Sequence, residues 1–290
     1  MKEIYIKARA KVNLNLEILG KREDNYHSLE SVFQKVNLYD EIYIKKTETD
    51  DFKLNINVKE LNTKENIIYK AYMKLKKQYK IVTGIEVTVN KKIPMQAGMA
   101  GGSTDCAAFI IAMNRLFNLK LSKEDMEILG KSLGADVVPC FYNKAVKAEG
   151  IGDIITNIDT CFKYYMVIIK PKISCNTKEM FQKLDTEGGI QQLHTSENII
   201  KALENKDIYL LANNLYNVFE EVIQEKEIIQ DIKKELIKNG ALQALMTGSG
   251  SCVYGIFKDK QSARNAYIAL KDKYQTYICT SYNVKKGEMF

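Results

Sequence analysis

The segment Pro94-Met95-Gln96-Ala97-Gly98-Met99-Ala100-Gly101-Gly102-Ser103-Thr104 is the one best suited to chemistry, with three glycines and two hydroxyls. It follows a strand candidate and opens a helix candidate. Small side chains let backbone N–H groups approach an anion, and a helix start adds roughly half a positive charge. Ser103 and Thr104 place hydroxyls where a phosphate or its Mg²⁺ would sit. The segment is neither a Walker loop nor a GxGxxG dinucleotide fingerprint. Glycines serving only tight packing explain it equally well when it is taken alone.

Four further segments carry candidate groups. Asp136 lies in Gly134-Ala135-Asp136-Val137-Val138-Pro139, where a carboxylate among apolar residues needs a cationic or hydrogen-bonding partner. A helix cap is the commoner reason for an Asp after Gly-Ala. Lys11, in Ala8-Arg9-Ala10-Lys11-Val12-Asn13, adjoins an alternating strand, and a solvated lysine is the plainer account of it. Asp24-Asn25-Tyr26-His27 reads as a surface turn, and Thr247-Gly248-Ser249-Gly250-Ser251 as a hairpin loop.

Composition removes whole classes of function. The chain has 290 residues, 27% of them charged, with a formal net charge of +7. Two histidines, His27 and His194, cannot build a multi-histidine metal cage. Neither the HExxH nor the GxSxG motif is present. The six cysteines include no CxxC pair, so reduced thiols in a cytoplasmic protein are the expectation. No apolar leader and no run near ~20 apolar residues is found, so no membrane partner is expected.

The elements that must position these groups follow from periodicity. Val12, Leu14, Leu16 and Ile18 alternate with Asn13, Asn15 and Glu17, as in a half-buried strand. Further strands are expected at 31–38, 41–46, 53–58 and 85–90, and helices at 66–79 and 103–117. Ser122 with Asp125 predicts a capped helix that ends between Gly130 and Gly134. The second half predicts a strand at 164–170 and helices at 176–184 and 197–239. It closes with strand 242–247, strand 252–258, helix 261–273 and strand 277–284. The fold class expected is α+β: two lobes, residues 1–158 and 159–290, each a mostly antiparallel sheet covered by helices.

Together, the segments make the chain resemble the GHMP kinases, the superfamily of galactokinase and the homoserine, mevalonate and phosphomevalonate kinases. Residues 94–104 match its phosphate loop, P-x-x-x-G-[LM]-[GA]-[GS]-S-[SA]. The fit is tighter to the branch whose acceptor is a cytidine diphosphate-linked methylerythritol. That branch's motifs appear in order as Ala10-Lys11-Val12-Asn13-Leu14, Asp24-Asn25-Tyr26-His27, the loop, Gly134–Val137, Ala148-Glu149-Gly150-Ile151-Gly152 and Thr247–Gly250. Asn25 stands where glycine is usual, and Gln96-Ala97 where smaller residues are common.

The resemblance implies ATP-dependent phosphorylation of a 2-hydroxyl, with Mg²⁺, in isoprenoid precursor synthesis by the non-mevalonate route. It implies Asp136 and Lys11 as the catalytic pair, and the loop Pro94–Thr104 around the ATP phosphates. Asn66 and the Lys91-Lys92 pair would lie near the adenine, with Lys92 the residue assigned to the site. Asn13, Tyr26, His27, Thr177, Phe181 and Gly248 would hold the acceptor, with aromatic residues stacked on the cytosine. The implied partner is a small molecule, with no nucleic acid, in a monomer or weak homodimer. Two other readings stay open. Homoserine kinase needs no aromatic clamp such as Tyr26-His27, and an RNA-binding protein would be expected to be more basic.

Overall fold

The computed structural model describes residues 1–187 and 195–284. Its first lobe is built on two long strands, β1 (Glu3–Lys21) and β2 (His27–Lys46), paired antiparallel. The link between them holds Asn25 at φ 64°, a left-handed conformation that asparagine tolerates. β2 unites the strands expected at 31–38 and 41–46. The two were separable in sequence because the ladder with β1 is interrupted there. Arg9 pairs with Tyr39 and Lys11 with Lys35, so Val36–Leu38 all face the single residue Ala10. At this bulge Val36 bridges instead to Ser281, near the other end of the chain.

The lobe continues with β3 (Phe52–Ile56), α1 (Ile67–Tyr79), β4 (Ile85–Asn90), α2 (Gly101–Phe117) and α3 (Lys123–Lys131). Ser122 and Asp125 form the expected capping box at the start of α3. A 3-10 segment, Ala135–Phe141, follows, then a hairpin of β5 (Val146–Glu149) and β6 (Ile154–Asn157) that periodicity did not reveal. Each of its strands is four residues long, too short for an alternation to register.

The second lobe begins at β7 (Tyr165–Lys170) and runs through α4 (Thr177–Glu187), α5 (Thr195–Asn205) and α6 (Ile208–Asn213). A two-residue strand, β8 (Tyr216–Asn217), precedes α7 (Phe219–Val222) and α8 (Lys226–Lys238). The expected strand–strand–helix–strand ending is β9 (Gln243–Met246), β10 (Val253–Phe257), α9 (Lys260–Leu270) and β11 (Gln275–Thr280). His194 lies outside the described residues.

Among the described residues the first sheet is ordered β3-β4-β2-β1-β8, with β5 and β6 branching from β2. Its antiparallel ladders are joined by two parallel ones, β3–β4 and β1–β8. The second sheet, β11-β7-β10-β9, is antiparallel throughout. No described helix is long and apolar enough to cross a membrane.

One expectation needs correction. β1 is not half-buried: Asn13, Asn15 and Glu17 are buried along with the apolar residues between them. Leu14 packs into a core shared with the second lobe, and Leu16 and Ile18 pack against β7, α7 and β10. The polar residues survive burial because each finds a partner, as buried polar groups must. Asn15 Oδ1 accepts the Val32 N–H, and Glu17 Oε1 accepts from the backbone and hydroxyl of Thr195.

Candidate active site

Between the lobes runs a cleft of ≈ 720 Å³, lined by Lys11, Asn13, Asn66, Pro94–Ser103, Asp136, Thr177, Phe181 and Gly248. Residues from both halves of the chain therefore share one space. Its floor is the start of α2. Ala100, the residue before the helix, has φ 55°, and no side chain caps the helix N-terminus. α1, α3, α6 and α9 do carry side-chain caps, from Asn66, Ser122, Asp207 and Asp259. The first N–H groups of α2 thus lack the usual internal acceptor and stand at the cleft, the geometry that suits an anion.

The glycines of the loop have separate reasons. A Cβ on Gly98 (φ +70°) would lie 1.9 Å from the Thr247 carbonyl oxygen, and one on Gly248 would lie 2.7 Å from the Gly98 carbonyl oxygen. Packing of the two loops against each other therefore demands both. A Cβ on Gly102 meets nothing within 4 Å. Packing therefore does not require a glycine at 102.

Lys11 is the point where the lobes converge. The plainer expectation of a solvated lysine fails, since it is only 7% exposed. Its Nζ donates to Asn13 Oδ1 (2.7 Å), two residues along the same strand face. Asn13 donates from its backbone N–H to Thr247 Oγ1 (3.0 Å) and from Nδ2 to Ser31 Oγ, while its carbonyl accepts from Tyr254 OH. Burial pushes the Lys11 ammonium below the ordinary lysine range; Asp136 and Cys140 oppose that shift, and Lys35 adds to it.

Asp136 stands in the first turn of the 3-10 segment and is exposed to the cleft, not enclosed among its apolar neighbours. Lys11 and Asp136 interact through space rather than as a contact pair.

Other candidates divide. Asn66 lines the cleft and also caps α1, accepting from the Ile68 N–H at 2.9 Å. Thr177 meets Ser249 across the lobe, with 2.8 Å between hydroxyl oxygens. Phe181 lines the cleft edge-on to Phe219 (centroids 5.0 Å apart) and is stacked at 4.9 Å on His27. His27 does not itself line the cleft. It sits behind Phe181 and donates from Nε2 to Asp185 Oδ1 (2.7 Å). Tyr26, 59% exposed, is outside the cleft, in the turn between β1 and β2.

Thr104 also faces away. Its hydroxyl donates to the Arg9 carbonyl (2.6 Å) and accepts from Lys35 Nζ (3.1 Å). Lys92 pairs with Glu41 at 2.8 Å outside the cleft.

The neighbouring residue Lys91 is the one that reaches the cleft, and with it comes a cluster that sequence reasoning missed. Lys91 Nζ donates to Asp105 Oδ2 (2.6 Å) and to Asp40. Asp40 Oδ1 accepts from the backbone N–H of Lys92 and Ile93, just before the loop. Asp105 lies in the helix just after the loop. Burial alone would lower the Lys91 pKa, but the two carboxylates outweigh it and hold it raised. Burial, reinforced by the nearby Asp40, holds the Asp105 carboxyl well above the carboxylate range despite Lys91. Both aspartates fall at unremarkable places in their elements, so no spacing singled them out.

A family model for the GHMP kinases N terminal domain matches residues 66–144, and one for the GHMP kinases C terminal region matches 199–276. A relative from Lachnospira eligens, 4-diphosphocytidyl-2-C-methyl-D-erythritol kinase, is 42% identical over 90% of this chain and 91% of its own. The protein of that name from Alkaliphilus oremlandii is 39% identical over 98% of both chains. A solved 4-(cytidine 5'-diphospho)-2C-methyl-D-erythritol kinase superposes with a TM-score of 0.85 at 24% identity, covering 97% of this chain and all of that one. Homoserine kinase from Cytophaga hutchinsonii has the same fold, with a TM-score of 0.74 at 19% identity over 97% of this chain and 95% of its own. At that level of identity over nearly the whole length of its relatives, the chain belongs to the 4-diphosphocytidyl-2-C-methyl-D-erythritol kinase family of the GHMP kinases.

Proposed function

We propose that this protein transfers the γ-phosphoryl group of ATP to the 2-hydroxyl of 4-diphosphocytidyl-2-C-methyl-D-erythritol, releasing ADP, in the non-mevalonate route to isoprenoid precursors. The observation that carries most weight is convergence. Lys11, Asp136 and the uncapped start of α2, far apart in sequence, open onto one cleft. An alcohol is a poor nucleophile at neutral pH, so a carboxylate that accepts its proton as the oxygen attacks phosphorus lowers the barrier. Asp136 is an exposed carboxylate of the cleft lining, and the one whose charge acts on Lys11. Lys11 orients the hydroxyl and offsets negative charge as the phosphoryl group moves across.

The loop Pro94–Ser103 binds the ATP phosphates through its N–H groups and the Ser103 hydroxyl, with Gly102 left bare for close approach. Mg²⁺ fits this donor set as an ion carried by the nucleotide phosphates. Such an ion needs only one or two protein oxygens, and it neutralises phosphate charge. No group of three His, Cys, Asp or Glu able to hold a metal occurs among the described residues. Asn66 takes the adenine side. Asn13, Thr177, Phe181 and Gly248 take the acceptor, with Phe181 offering its face to the cytosine. His27 acts from behind by bracing that ring, and Tyr26 contributes at the rim. We further assign residues 1–158 mainly to the nucleotide and 159–290 mainly to closing over the acceptor.

The test is ADP release with the diphosphocytidyl acceptor, its uridine analogue and homoserine compared side by side. Turnover is expected with the first. Equal turnover with homoserine would defeat the reading. For the roles, Asp136→Asn is expected to lower kcat by about 10²–10⁴ with the KM for ATP little changed. Near-normal kcat would remove Asp136 as the base.

A further inference from the structure

Lys35 is an anomaly that the reaction as described does not use. It stands directly opposite Lys11 in the β1–β2 ladder, and the two like charges are both buried. Cross-strand like charges are unfavourable even on a surface. Lys35 is only 3% exposed, and no carboxylate pairs with it among the described residues. Its Nζ instead donates to the Arg9 carbonyl (2.9 Å) and to Thr104 Oγ1 (3.1 Å). A buried ammonium without a counter-ion is costly, and such costs tend to persist where function uses them.

The location shows the use. Arg9 is the last residue of β1 to pair before the bulge, and Val36–Leu38 have left the ladder to meet the second lobe. Lys35 and Thr104 take the Arg9 carbonyl, two residues from Lys11. Thr104 belongs to α2, whose N-terminus is the floor of the cleft. One ammonium therefore ties the strand that carries Lys11 to the helix that carries the phosphate loop. We propose that Lys35 is a positioning residue for phosphoryl transfer, fixing Lys11 relative to α2 and setting the charge at its back.

The groups facing this pair are few. On Lys11 act Asp136 and Cys140 from the 3-10 segment and Lys35 from β2; burial lowers the Lys35 pKa too, Cys140 opposes that shift and Arg9 adds to it. Burial and then Lys35 push the Lys11 pKa down, against Asp136 and Cys140. The active form of Lys11 is the ammonium, so activity falls as pH rises through this lowered pKa. Removing the neighbouring positive charge raises that pKa and moves the basic limb to higher pH.

This inference rests on the role given to Lys11 above, and the experiment separates the two. Lys35→Met keeps shape and removes charge; Lys35→Arg keeps charge. The Lys11 ammonium is titrated by NMR on protein carrying ¹⁵N in lysine side chains, beside kcat–pH profiles. Lys35→Met is expected to shift the Lys11 titration and the basic limb of kcat upward by about half a pH unit or more. It should lower kcat at neutral pH about tenfold, with the KM for ATP within about twofold. Lys35→Arg should restore both curves. Thr104→Val, which breaks the tie but keeps the charge, should lower kcat without moving the limb. An unchanged Lys11 titration in Lys35→Met overturns the proposal. A shifted titration with an unmoved kcat limb upholds the coupling and instead refutes the role given to Lys11.

Discussion

At the scale of single residues, the glycines of the phosphate loop separate packing from ligand contact. Gly98→Ala forces a methyl onto the Thr247 carbonyl at a left-handed φ, and is expected to destabilise the fold by about 2 kcal/mol or more. Gly102→Ala places a methyl in open space at the start of a helix. It should raise stability, by up to about 1 kcal/mol, and yet raise the KM for ATP about fivefold or more. Denaturant midpoints and ATP titrations check both. A Gly102→Ala enzyme with normal KM would leave that glycine without a role in phosphate binding.

At the scale of elements, the chemistry depends on how α2 is joined to its neighbours. The cluster of Asp40, Lys91 and Asp105 grips the chain on both sides of the phosphate loop. Lys91→Met leaves two buried carboxylates facing each other, and should cost about 3–5 kcal/mol in unfolding free energy. The pH dependence has a definite sign. Asp105 titrates above its unfolded value, so the native state binds the extra proton and stability falls as pH rises from about 4. Asp105→Asn removes that dependence. Its stability relative to the parent should therefore improve from acidic to neutral pH, as urea midpoints at the two pH values will show. A constant difference would mean that folding does not move the Asp105 titration.

At the scale of the molecule, the cleft exists because two lobes share β1 and clasp the loops Pro94–Ser103 and Thr247–Ser251 between them. Phe181, carried by the second lobe on α4, reaches across to His27 of the first. Phe181→Ala should raise the KM for the cytidine acceptor about 5- to 150-fold while leaving the KM for ATP near normal. Equal effects on both would dismiss it as a base platform. The net charge of +7 also belongs to this scale and suits an enzyme of two polyanionic substrates.

Much of this was legible in sequence for local reasons. Periodicity located β4 to the residue, because Ile85, Val87 and Val89 alternate cleanly over a strand with one wet face. The cap of α3 is a side chain reaching three residues along the chain, so Ser122 with Asp125 announces it; Asn66, expected inside α1, is instead its cap. Lys11, Asp136 and the phosphate loop stood out through motif order. Of the Lys91-Lys92 pair only Lys91 reaches the cleft lining, and Thr104 and Tyr26 lie outside it. These residues sit in a loop, a helix start and a turn, where only tertiary packing says which side chain faces the cleft.

By itself, then, the sequence determined most of the elements, the family and the segments proposed to bind phosphate and move a proton. Those depend on residue type and near-neighbour spacing. Only the tertiary structure decided that the polar face of β1 is buried, that His27 braces Phe181, and that Lys35 backs Lys11. Each of these is a contact between residues distant in the chain, bought with desolvation, and its sign depends on what surrounds the group. Local sequence does not carry that information.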